Sequence, residues 1–341
     1  MTINLISDTV TVPTPDMLQF MMEAKVGDDV FGADPTVIAL QEKIATLFGK
    51  EAALYFPSGT MANQTAINMH TQPGQQLICD KWAHVYNFEA GGAAFNSGVS
   101  CFLLDGNRGM FTAEQLKPAI NDPNNFHLVS SALVAVENTT NKGGGTCWDF
   151  EELIKIKQVC VDNNLTYHLD GARLFNALVA KNETPKQYGD LFDTISICLS
   201  KGLGAPIGSL LLGTKEHIHK AVRIRKIFGG AMRQVGYLAA AGIYALDNHV
   251  ERLVDDHKNA KIIGEALQKS PYVSNVEPIE TNIIIFNVVN SITDNDFVDA
   301  LKNKGVLIIS MGGGKLRMVT HLMLTDTMIE QVVNVLKNLK I

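Results

Sequence analysis

Short apolar runs alternate with helical patterns through the middle of the chain. The runs are four to eight residues long and mostly continuous, which is typical of strands buried on both faces of a sheet. They lie at 76–79, 100–104, 132–136, 165–169, 194–199 and 209–212. The segments between them, such as 148–163, carry apolar residues at helical spacing. This repeated order of strand, helix and strand predicts an α/β fold with a mostly parallel sheet.

The pattern changes after about residue 248. A long helix with a polar face is predicted first, at 250–269. Two strands follow it at 282–288 and 305–309, and two helices at 294–304 and 325–339. This mixture predicts a smaller α+β domain over residues 249–341, after a large domain over residues 1–248. We expect the first ~15 residues to pack with the small domain.

Composition narrows the class of protein. The 341 residues are 46% hydrophobic and 19% charged, which is ordinary for a packed enzyme and too apolar for a disordered chain. A net charge of −6 without a basic stripe argues against a nucleic-acid partner. No apolar stretch approaches the ~20 residues of a membrane span, and the N-terminus does not resemble a secretory signal. Five cysteines without a CxxC pair are typical of reduced thiols, so we expect a cytoplasmic protein.

Lys201 is the first candidate for chemistry. It follows the apolar run at 194–199 and lies among glycines, in Ser-Lys-Gly-Leu-Gly. Most lysines on surface loops are solvated charges, but a lysine at the end of a buried strand enters a desolvated place where its pKa can fall. Such a lysine can form a Schiff base with a carbonyl compound.

Asp170 is the second candidate, at the end of another predicted strand, in the motif His-Leu-Asp-Gly-Ala-Arg at 168–173. Taken alone, it would be interpreted as a cap of the next helix. However, the carboxyl ends of parallel strands face the crevice in which α/β proteins bind ligands. A pyridoxal phosphate enzyme needs a lysine for the aldehyde and a carboxylate for the pyridinium nitrogen. Lys201 and Asp170 supply both groups.

A phosphate site is predicted at Ser58, Gly59 and Thr60. These residues open a predicted helix that runs to about His70. The free backbone N–H groups and the positive end of the helix dipole can hold an anion there. The motif is weak by itself, because any serine or threonine can cap a helix, and it gains weight as the third part of one cofactor site.

The ordered motifs of the chain resemble those of threonine aldolases, of the low-specificity or L-allo-threonine type. These enzymes belong to the β-eliminating lyase group of fold-type I pyridoxal phosphate enzymes. The motifs cover nearly the whole chain, at 7–11, 26–32, 34–36, 58–60, 83–84, 88–92, 137–139, 168–173, 200–206, 229–234 and 316–321. The resemblance implies an aspartate aminotransferase-like large domain with pyridoxal 5'-phosphate as cofactor.

The resemblance also implies roles for individual residues. Lys201 would carry the cofactor, Asp170 would pair with its ring nitrogen and His84 would stack on its ring. The cofactor phosphate would be bound by Ser58, Gly59, Thr60 and Arg233. The substrate carboxylate would be bound by Arg317 and Ser7, and Arg173 would contact both cofactor and substrate. A planar guanidinium suits bidentate binding of a carboxylate. No metal site is implied.

The expected reaction is retro-aldol cleavage of L-threonine or L-allo-threonine to glycine and acetaldehyde. His84, His127 or a water that they order would act as the base. Two alternatives stay open, namely a β-eliminating lyase or a phenylserine-type aldolase with a larger side-chain pocket. A regulatory paralogue without activity is disfavoured because Lys201 and Asp170 are retained. One departure from the family pattern is Thr140, where a histidine usually stands.

We also expect a homo-oligomer, a tetramer built as a dimer of dimers with composite sites. The family assembles in this way, and closed two-fold symmetry is the commonest arrangement of soluble homo-oligomers. The 26–36 segment has no obvious place in a sheet, as expected of a loop between subunits. Arg233 lies in a segment whose composition suits an approach to a neighbour's phosphate site.

Overall fold

The computed structural model describes residues 2–341, which form three sheets surrounded by helices. The strands in this range are β1 (Ile3–Asn4), β2 (Ala52–Phe56), β3 (Gln76–Asp80), β4 (Ser100–Leu104), β5 (Ser131–Glu137), β6 (Thr166–Gly171), β7 (Thr194–Cys198), β8 (Ser209–Gly213), β9 (Val273–Val276), β10 (Ile283–Val288), β11 (Val306–Leu307), β12 (Ile309–Gly312) and β13 (Lys315–Val319). The helices are α1 (Pro15–Met22), α2 (Pro35–Phe48), α3 (Gly59–His70), α4 (His84–Asn87), α5 (Gly92–Ser97), α6 (Ala113–Leu116), α7 (Phe150–Asp162), α8 (Leu174–Lys181), α9 (Pro185–Leu191), α10 (Lys215–Ile227), α11 (Gly236–Asn248), α12 (Leu253–Gln268), α13 (Asp294–Lys302) and α14 (Asp326–Lys337).

The largest sheet has the strand order β2-β8-β7-β6-β5-β3-β4. Neighbours from β7 through β6, β5 and β3 to β4 are parallel, whereas β8 is antiparallel to both β7 and β2. All six predicted strands are present, so the predicted α/β class with a mostly parallel sheet is confirmed. The prediction did not include β2, which forms the edge of the sheet beside β8.

Two central strands carry polar side chains at alternate positions. Because alternate residues of a strand point to the same face, His168 and Asp170 of β6 share one face. Thr194 and Ser196 of β7 pair with these two residues in register and share that face. Helix α3 covers this polar face, through hydrogen bonds from Asn63 and from the histidine at its last position. The large sheet therefore has a buried polar strip beneath α3, in a core that is otherwise apolar.

The C-terminal part contains an antiparallel sheet of order β12-β13-β10-β9, with α12 and α14 packed together beside it. β1 pairs in parallel with β11, and Ile3 and Leu5 lie in the apolar core of this part, as expected for the first residues. The strand predicted at 305–309 is divided between β11 and β12. The division into domains at residue 248, where α11 ends, stays a prediction.

Among residues 2–341, none of the helices is both long enough and apolar enough to cross a membrane.

Candidate active site

The candidate site lies at the carboxyl edge of the parallel strands, where β5, β6 and β7 end. Lys201 follows β7 by three residues, in the loop that turns back into the antiparallel strand β8. Its Nζ lies 3.5 Å from Sγ of Cys198. Its carbonyl oxygen accepts a hydrogen bond of 3.0 Å from the hydroxyl of Thr11, which ties the loop to the N-terminal segment. The lysine is half-buried, so its amine is held at the sheet edge with access from the crevice.

Asp170 is buried at the end of β6, and each of its two oxygens accepts a hydrogen bond. Oδ1 accepts from the backbone N–H of Ala172 at 3.1 Å, and Oδ2 accepts from Nδ2 of Asn63 at 2.9 Å. Helix α8 begins after Arg173 without a side-chain cap. Asp170 is therefore not the cap of that helix, which was the alternative interpretation of the sequence.

His84 is the first residue of α4, and its ring is held by a buried carboxylate. Nδ1 lies 2.9 Å from Oε1 of Glu89. Burial alone would lower the pKa of His84, but the hydrogen bond to Glu89 and the charge of Asp170 outweigh it, so the pKa is raised. The bond to Glu89 fixes the orientation of the ring and directs Nε2 to a different partner.

Glu137, the last residue of β5, is a second buried carboxyl group beside the site. Its Oε2 accepts from the backbone N–H of His84 at 2.9 Å, and its Oε1 accepts from that of Asn141 at 2.8 Å. Burial and the nearby charge of Asp170 raise the pKa of Glu137 to about 7. This side chain can therefore change its protonation near neutral pH while it supports the start of α4.

The N-terminus of α3 lies against the end of β7. Ser58 is the N-cap, and its Oγ accepts from the backbone N–H of Met61 at 3.2 Å. A Cβ atom on Gly59 would lie 2.6 Å from Sγ of Cys198, so only glycine permits this close approach. Ser58 and Thr60 are exposed. The three predicted phosphate residues thus form a helix start that is open to an anion and next to the loop of Lys201.

Arg233 lies beyond the C-terminus of α10 and is 69% exposed. Its guanidinium forms an ion pair with Asp28, and its carbonyl oxygen accepts from the backbone N–H of Asp29. A Cβ atom on Gly230 would lie 2.1 Å from Sδ of Met61, so this segment runs against the first turn of α3. In the single chain, therefore, the segment before Arg233 runs beside the start of α3, while the Arg233 guanidinium is paired with an aspartate.

The two arginines predicted to bind a carboxylate differ in their present partners. The Arg173 guanidinium is paired with the buried Asp8, whereas Arg317 of β13 has only neutral acceptors. Nη1 of Arg317 donates to Oδ1 of Asn141 at 3.1 Å, and Nη2 donates to the carbonyl oxygen of Ile6 at 3.2 Å. Its Nε is buried and has no partner within residues 2–341. Burial and the neighbouring Arg173 charge lower the pKa of Arg317, so an anion beside it would be strongly stabilised.

Ser7 lies beside the same cluster. It is buried at the start of a short 3₁₀ turn, Asp8–Val10, and its Oγ accepts from the hydroxyl of Thr9 at 2.8 Å. The turn also places Asp8 beneath the Arg173 guanidinium. The structure thus brings Ser7, Arg173 and Arg317 into one region, as the resemblance implied.

His127 lies apart from this cluster in the single chain. It is exposed and precedes β5, whereas the site lies where β5 ends at Glu137. A strand of seven residues spans roughly 20 Å, at about 3.3 Å per residue. In the single chain, therefore, His127 lies near the opposite end of β5 from Glu137, and its role as a base stays a prediction.

Thr140, which stands where the family usually has histidine, is buried in the loop that follows β5. A Cβ atom on Gly143 would lie 2.3 Å from Oγ1 of Thr140, and one on Gly109 would lie 3.3 Å from its Cβ. The side chain therefore packs between the two turns that contain these glycines.

Several polar residues shape the site although no role was predicted for them from the sequence, namely Asp8, Asn63, Glu89, Glu137 and Asn141. Four of them lie in or next to the motifs that carry the resemblance. The signal that could have identified Asn63 was the alternation of polar residues in the buried strands, since a polar face needs a polar partner. His84, Glu89 and Asp170 also offer ligand atoms within 4.8 Å of one another. However, Nδ2 of Asn63 donates to both carboxylates, which is typical of a hydrogen-bond network.

Similarity to known proteins agrees with this geometry. The profile of the family described as "Beta-eliminating lyase" matches residues 4–291. The low specificity L-threonine aldolase of Escherichia coli strain K12 is 42% identical over 323 residues, covering 94% of each chain. A probable low-specificity L-threonine aldolase 2 of Arabidopsis thaliana is 37% identical and covers 98% of this chain and 96% of its own. A solved structure of Leishmania major threonine aldolase superimposes with a TM-score of 0.85 at 22% identity, over 98% of each chain, and so shares the predicted fold.

Proposed function

Since the chain belongs to the beta-eliminating lyase family, we propose that it is a pyridoxal-phosphate-dependent threonine aldolase, which cleaves L-threonine and L-allo-threonine to glycine and acetaldehyde. The names of the relatives in E. coli and Arabidopsis support this substrate class. The observation that carries the proposal is the convergence of Lys201, Asp170 and His84 at one sheet edge beside the N-terminus of α3.

The residues present fit the proposed cofactor. An amine, a buried carboxylate, an imidazole and a helix N-terminus are the groups that suit an aldehyde, a pyridinium nitrogen, an aromatic ring and a phosphate. Lys201 would hold the aldehyde carbon and Asp170 the ring nitrogen, while Gly59 and Thr60 would donate to the phosphate. When bound, pyridoxal phosphate supplies an electron-accepting ring that stabilises negative charge at the substrate Cα.

Arg317 would orient the substrate through its carboxylate. The buried Nε without a partner indicates a place for a further acceptor, and a carboxylate binds a guanidinium more strongly than the neutral Asn141 oxygen does. Arg173 would add positive charge and could offer Nη1, which now donates to the same oxygen at 3.4 Å. Ser7 would add one hydrogen bond. Such a clamp fixes the Cα substituents and thereby selects the bond that breaks.

A base is needed to take the proton of the β-hydroxyl group as the Cα–Cβ bond breaks and acetaldehyde leaves. Protonation at Cα then yields glycine. We assign the base to His84 or to a water that it orders, because Glu89 holds the ring and the raised pKa makes it a stronger base than a free imidazole. His127 could serve only if another subunit delivered it.

The alternative function is that of a β-eliminating lyase or of a phenylserine-type aldolase that acts on a larger side chain. The family description and the small Thr140 in place of a histidine are the observations that keep it open. Purified enzyme loaded with cofactor should be tested with L-threonine, L-allo-threonine, L-serine and β-phenylserine. Acetaldehyde from the first two supports the proposal, whereas pyruvate from serine, or a strong preference for phenylserine, supports the alternative.

We also propose that the protein is a homotetramer, a dimer of dimers with composite sites. Large aromatic side chains at the surface support burial between subunits, since Phe95 is 91% and Phe126 is 86% exposed in the single chain. Phe126 adjoins His127, so the same contact could bring that histidine to a neighbouring site. The cysteines of the chain are free in the structure, which supports a reducing compartment such as the cytoplasm.

A further inference from the structure

Asn63, in the second turn of α3, uses all of its hydrogen-bonding capacity on buried partners. Its Nδ2 donates to Oδ2 of Asp170 and to Oε1 of Glu89, each at 2.9 Å. Its Oδ1 accepts from the hydroxyl of Ser196 at 2.6 Å and faces Nε2 of His168 at 3.2 Å. Glu89 also holds the ring of His84. The side-chain amide of Asn63 therefore links Asp170, the proposed partner of the cofactor ring, to Glu89, which orients the proposed base His84.

A chain of hydrogen bonds continues from Asn63 to the far end of α3. Nδ1 of His168 lies 3.0 Å from Oγ1 of Thr194, and Nε2 of His70 lies 3.0 Å from the same hydroxyl. The placement follows from the local structure. Asn63 and His70 are seven residues apart, which puts them on one face of α3, and this face covers the polar strip of β6 and β7. The side chains of Asn63, His168 and Thr194 are fully buried.

The chemistry of the partners determines the direction of every bond in this chain. Carboxylate oxygens accept hydrogen bonds, so the Asn63 amide must turn its NH₂ toward Asp170 and Glu89 and its oxygen toward His168. The facing Nε2 of His168 must then carry a proton. Burial lowers the pKa of His168 to about 4, so the neutral ring has a bare Nδ1. This nitrogen accepts from the hydroxyl of Thr194.

His70 completes the chain. Because the Thr194 hydroxyl donates its hydrogen to His168, its oxygen can only accept from Nε2–H of His70. Burial also lowers the pKa of His70 well below its usual value, so this ring is neutral as well. All donors in the chain therefore point from His70 toward Asp170. Reversing the amide of Asn63 would place its oxygen against two carboxylates, and a buried mismatch of this kind is costly.

We propose that Asn63 is the positioning residue that couples Asp170 to the Glu89–His84 pair, and that His168, Thr194 and His70 fix the direction in which its amide faces. This inference rests on the proposed function, because it explains how the carboxylate for the cofactor ring and the catalytic base are held in fixed positions relative to each other. Neither Asn63 nor the residues behind it needs to touch the substrate.

The first test measures the tautomer of His168 in the cofactor-free wild-type protein. Nitrogen-15 NMR of the histidine side chains at neutral pH should show a neutral ring with its proton on Nε2. A proton on Nδ1 would mean that the Asn63 amide is reversed, and the inference would be overturned. This measurement needs no turnover, so it stands apart from the proposed activity.

The second test compares Asn63→Asp with Asn68→Asp, the same change on another face of α3, where Nδ2 of Asn68 donates to a backbone carbonyl. Asn63→Asp should weaken pyridoxal phosphate binding, measured by quenching of tryptophan fluorescence, and lower kcat by about 10- to 100-fold, as is usual for residues that orient a ligating group. KM should change much less, because the carboxylate clamp is separate. Equal effects of the two variants on cofactor affinity and kcat would contradict the inference.

A third comparison protects the test against misfolding of the Asn63 variant. Thr194→Val keeps the shape of the side chain and removes the hydroxyl, whereas Thr194→Ser keeps the hydroxyl. The valine variant should lower cofactor affinity and kcat, and the serine variant should restore both. If the two behave alike, the chain does not act through hydrogen bonds. If Asn63→Asp loses cofactor affinity but the wild-type protein releases no acetaldehyde, the proposed function is refuted and the inference about Asn63 stands.

Discussion

Arg173 binds Asp8 with both ends of its guanidinium. Nε donates to Oδ2 and Nη2 donates to Oδ1, each at 2.7 Å, and both side chains are buried. Despite the cost of burial, the arginine holds the pKa of Asp8 well below its usual range, with smaller contributions from Lys201 and Asn282. The pair gives Arg173 a structural role that the sequence did not indicate. Of the two arginines, Arg317 is the one with an unpaired donor, its buried Nε, within the part of the chain that the structure describes.

Replacing Arg317 by alanine should impair substrate binding and leave the fold intact. Losing a charge-assisted hydrogen bond costs about 1.5–3 kcal/mol, so kcat/KM should fall about 10- to 100-fold, with a raised KM as the main change. Steady-state kinetics and the affinity for the cofactor should be measured together, with the exposed Arg223→Ala as control. An unchanged KM for both threonine isomers would mean that the carboxylate site lies elsewhere.

Replacing Arg173 by alanine should instead destabilise the protein. The change leaves the Asp8 carboxylate buried without its partner, and breaking one side of a buried ion pair typically costs about 3–5 kcal/mol. Urea unfolding of the cofactor-free protein gives this free energy of unfolding directly. A loss no greater than that of Arg317→Ala would show that the pair with Asp8 does not support the fold.

Glu137 should make the cofactor-free protein less stable as the pH rises toward neutrality. Its pKa is raised from 4.5 to about 7 in the folded state, so the folded protein binds this proton more tightly than the unfolded chain does. The resulting stability is fully present below pH 4.5 and is lost as the pH rises through about 7, with a size of roughly 1–3 kcal/mol.

The variant Glu137→Gln cannot titrate, so its free energy of unfolding should lack this downward slope. The slope is the quantity to compare, because the amide also loses one of the two hydrogen bonds from backbone N–H groups. Urea unfolding at a series of pH values from 4.5 to about 7 provides the measurement, with a variant of the exposed Glu216, Glu216→Gln, as control. Parallel curves for wild type and Glu137→Gln would show that Glu137 titrates normally.

The tetramer with composite sites can be tested by mixing inactive subunits. Light scattering coupled to gel filtration should give four times the chain mass of 37.2 kDa. Lys201→Ala and Arg233→Ala chains, each inactive alone, should regain part of the activity in hybrids, because one shared site would contain both native residues. A monomer with full turnover, or hybrids without activity, would contradict a site shared through Arg233.

Much of the fold was predictable because the buried strands are continuous apolar runs. β4 was predicted with the bounds that the structure shows, and β3, β6, β7 and β8 with ends that differ by one or two residues. β2 was not predicted, because a run of only five apolar residues, separated from a helix by three residues, is hard to distinguish from a buried helical turn by periodicity. The antiparallel direction of β8 follows from the loop at 199–208, which holds no crossover helix.

The sequence predicted those residues of the candidate site that lie at or just after the ends of strands. Asp170 lies at the end of β6 and Lys201 follows β7, and these strands are parallel neighbours, so the proximity of the two residues follows from topology. The pairing of Arg173 with Asp8 could not be predicted, since it joins residues 165 positions apart. For Asn63, the polar positions of the buried strands indicate that a polar partner is needed but not which contacts it makes, because its partners come from three separate segments. Such contacts depend on how α3 and the N-terminal segment pack, and no local pattern encodes that packing.

Retro-aldol cleavage at this site is tested most directly by the product balance from L-threonine. Purified protein loaded with pyridoxal phosphate should release glycine and acetaldehyde in equal amounts. Lys201→Ala should release neither and should lose the visible absorbance of the bound cofactor, while the exposed Lys220→Ala should behave like wild type. Absence of acetaldehyde from the wild type, or undiminished cleavage by Lys201→Ala, would show that Lys201 does not support retro-aldol cleavage at this site.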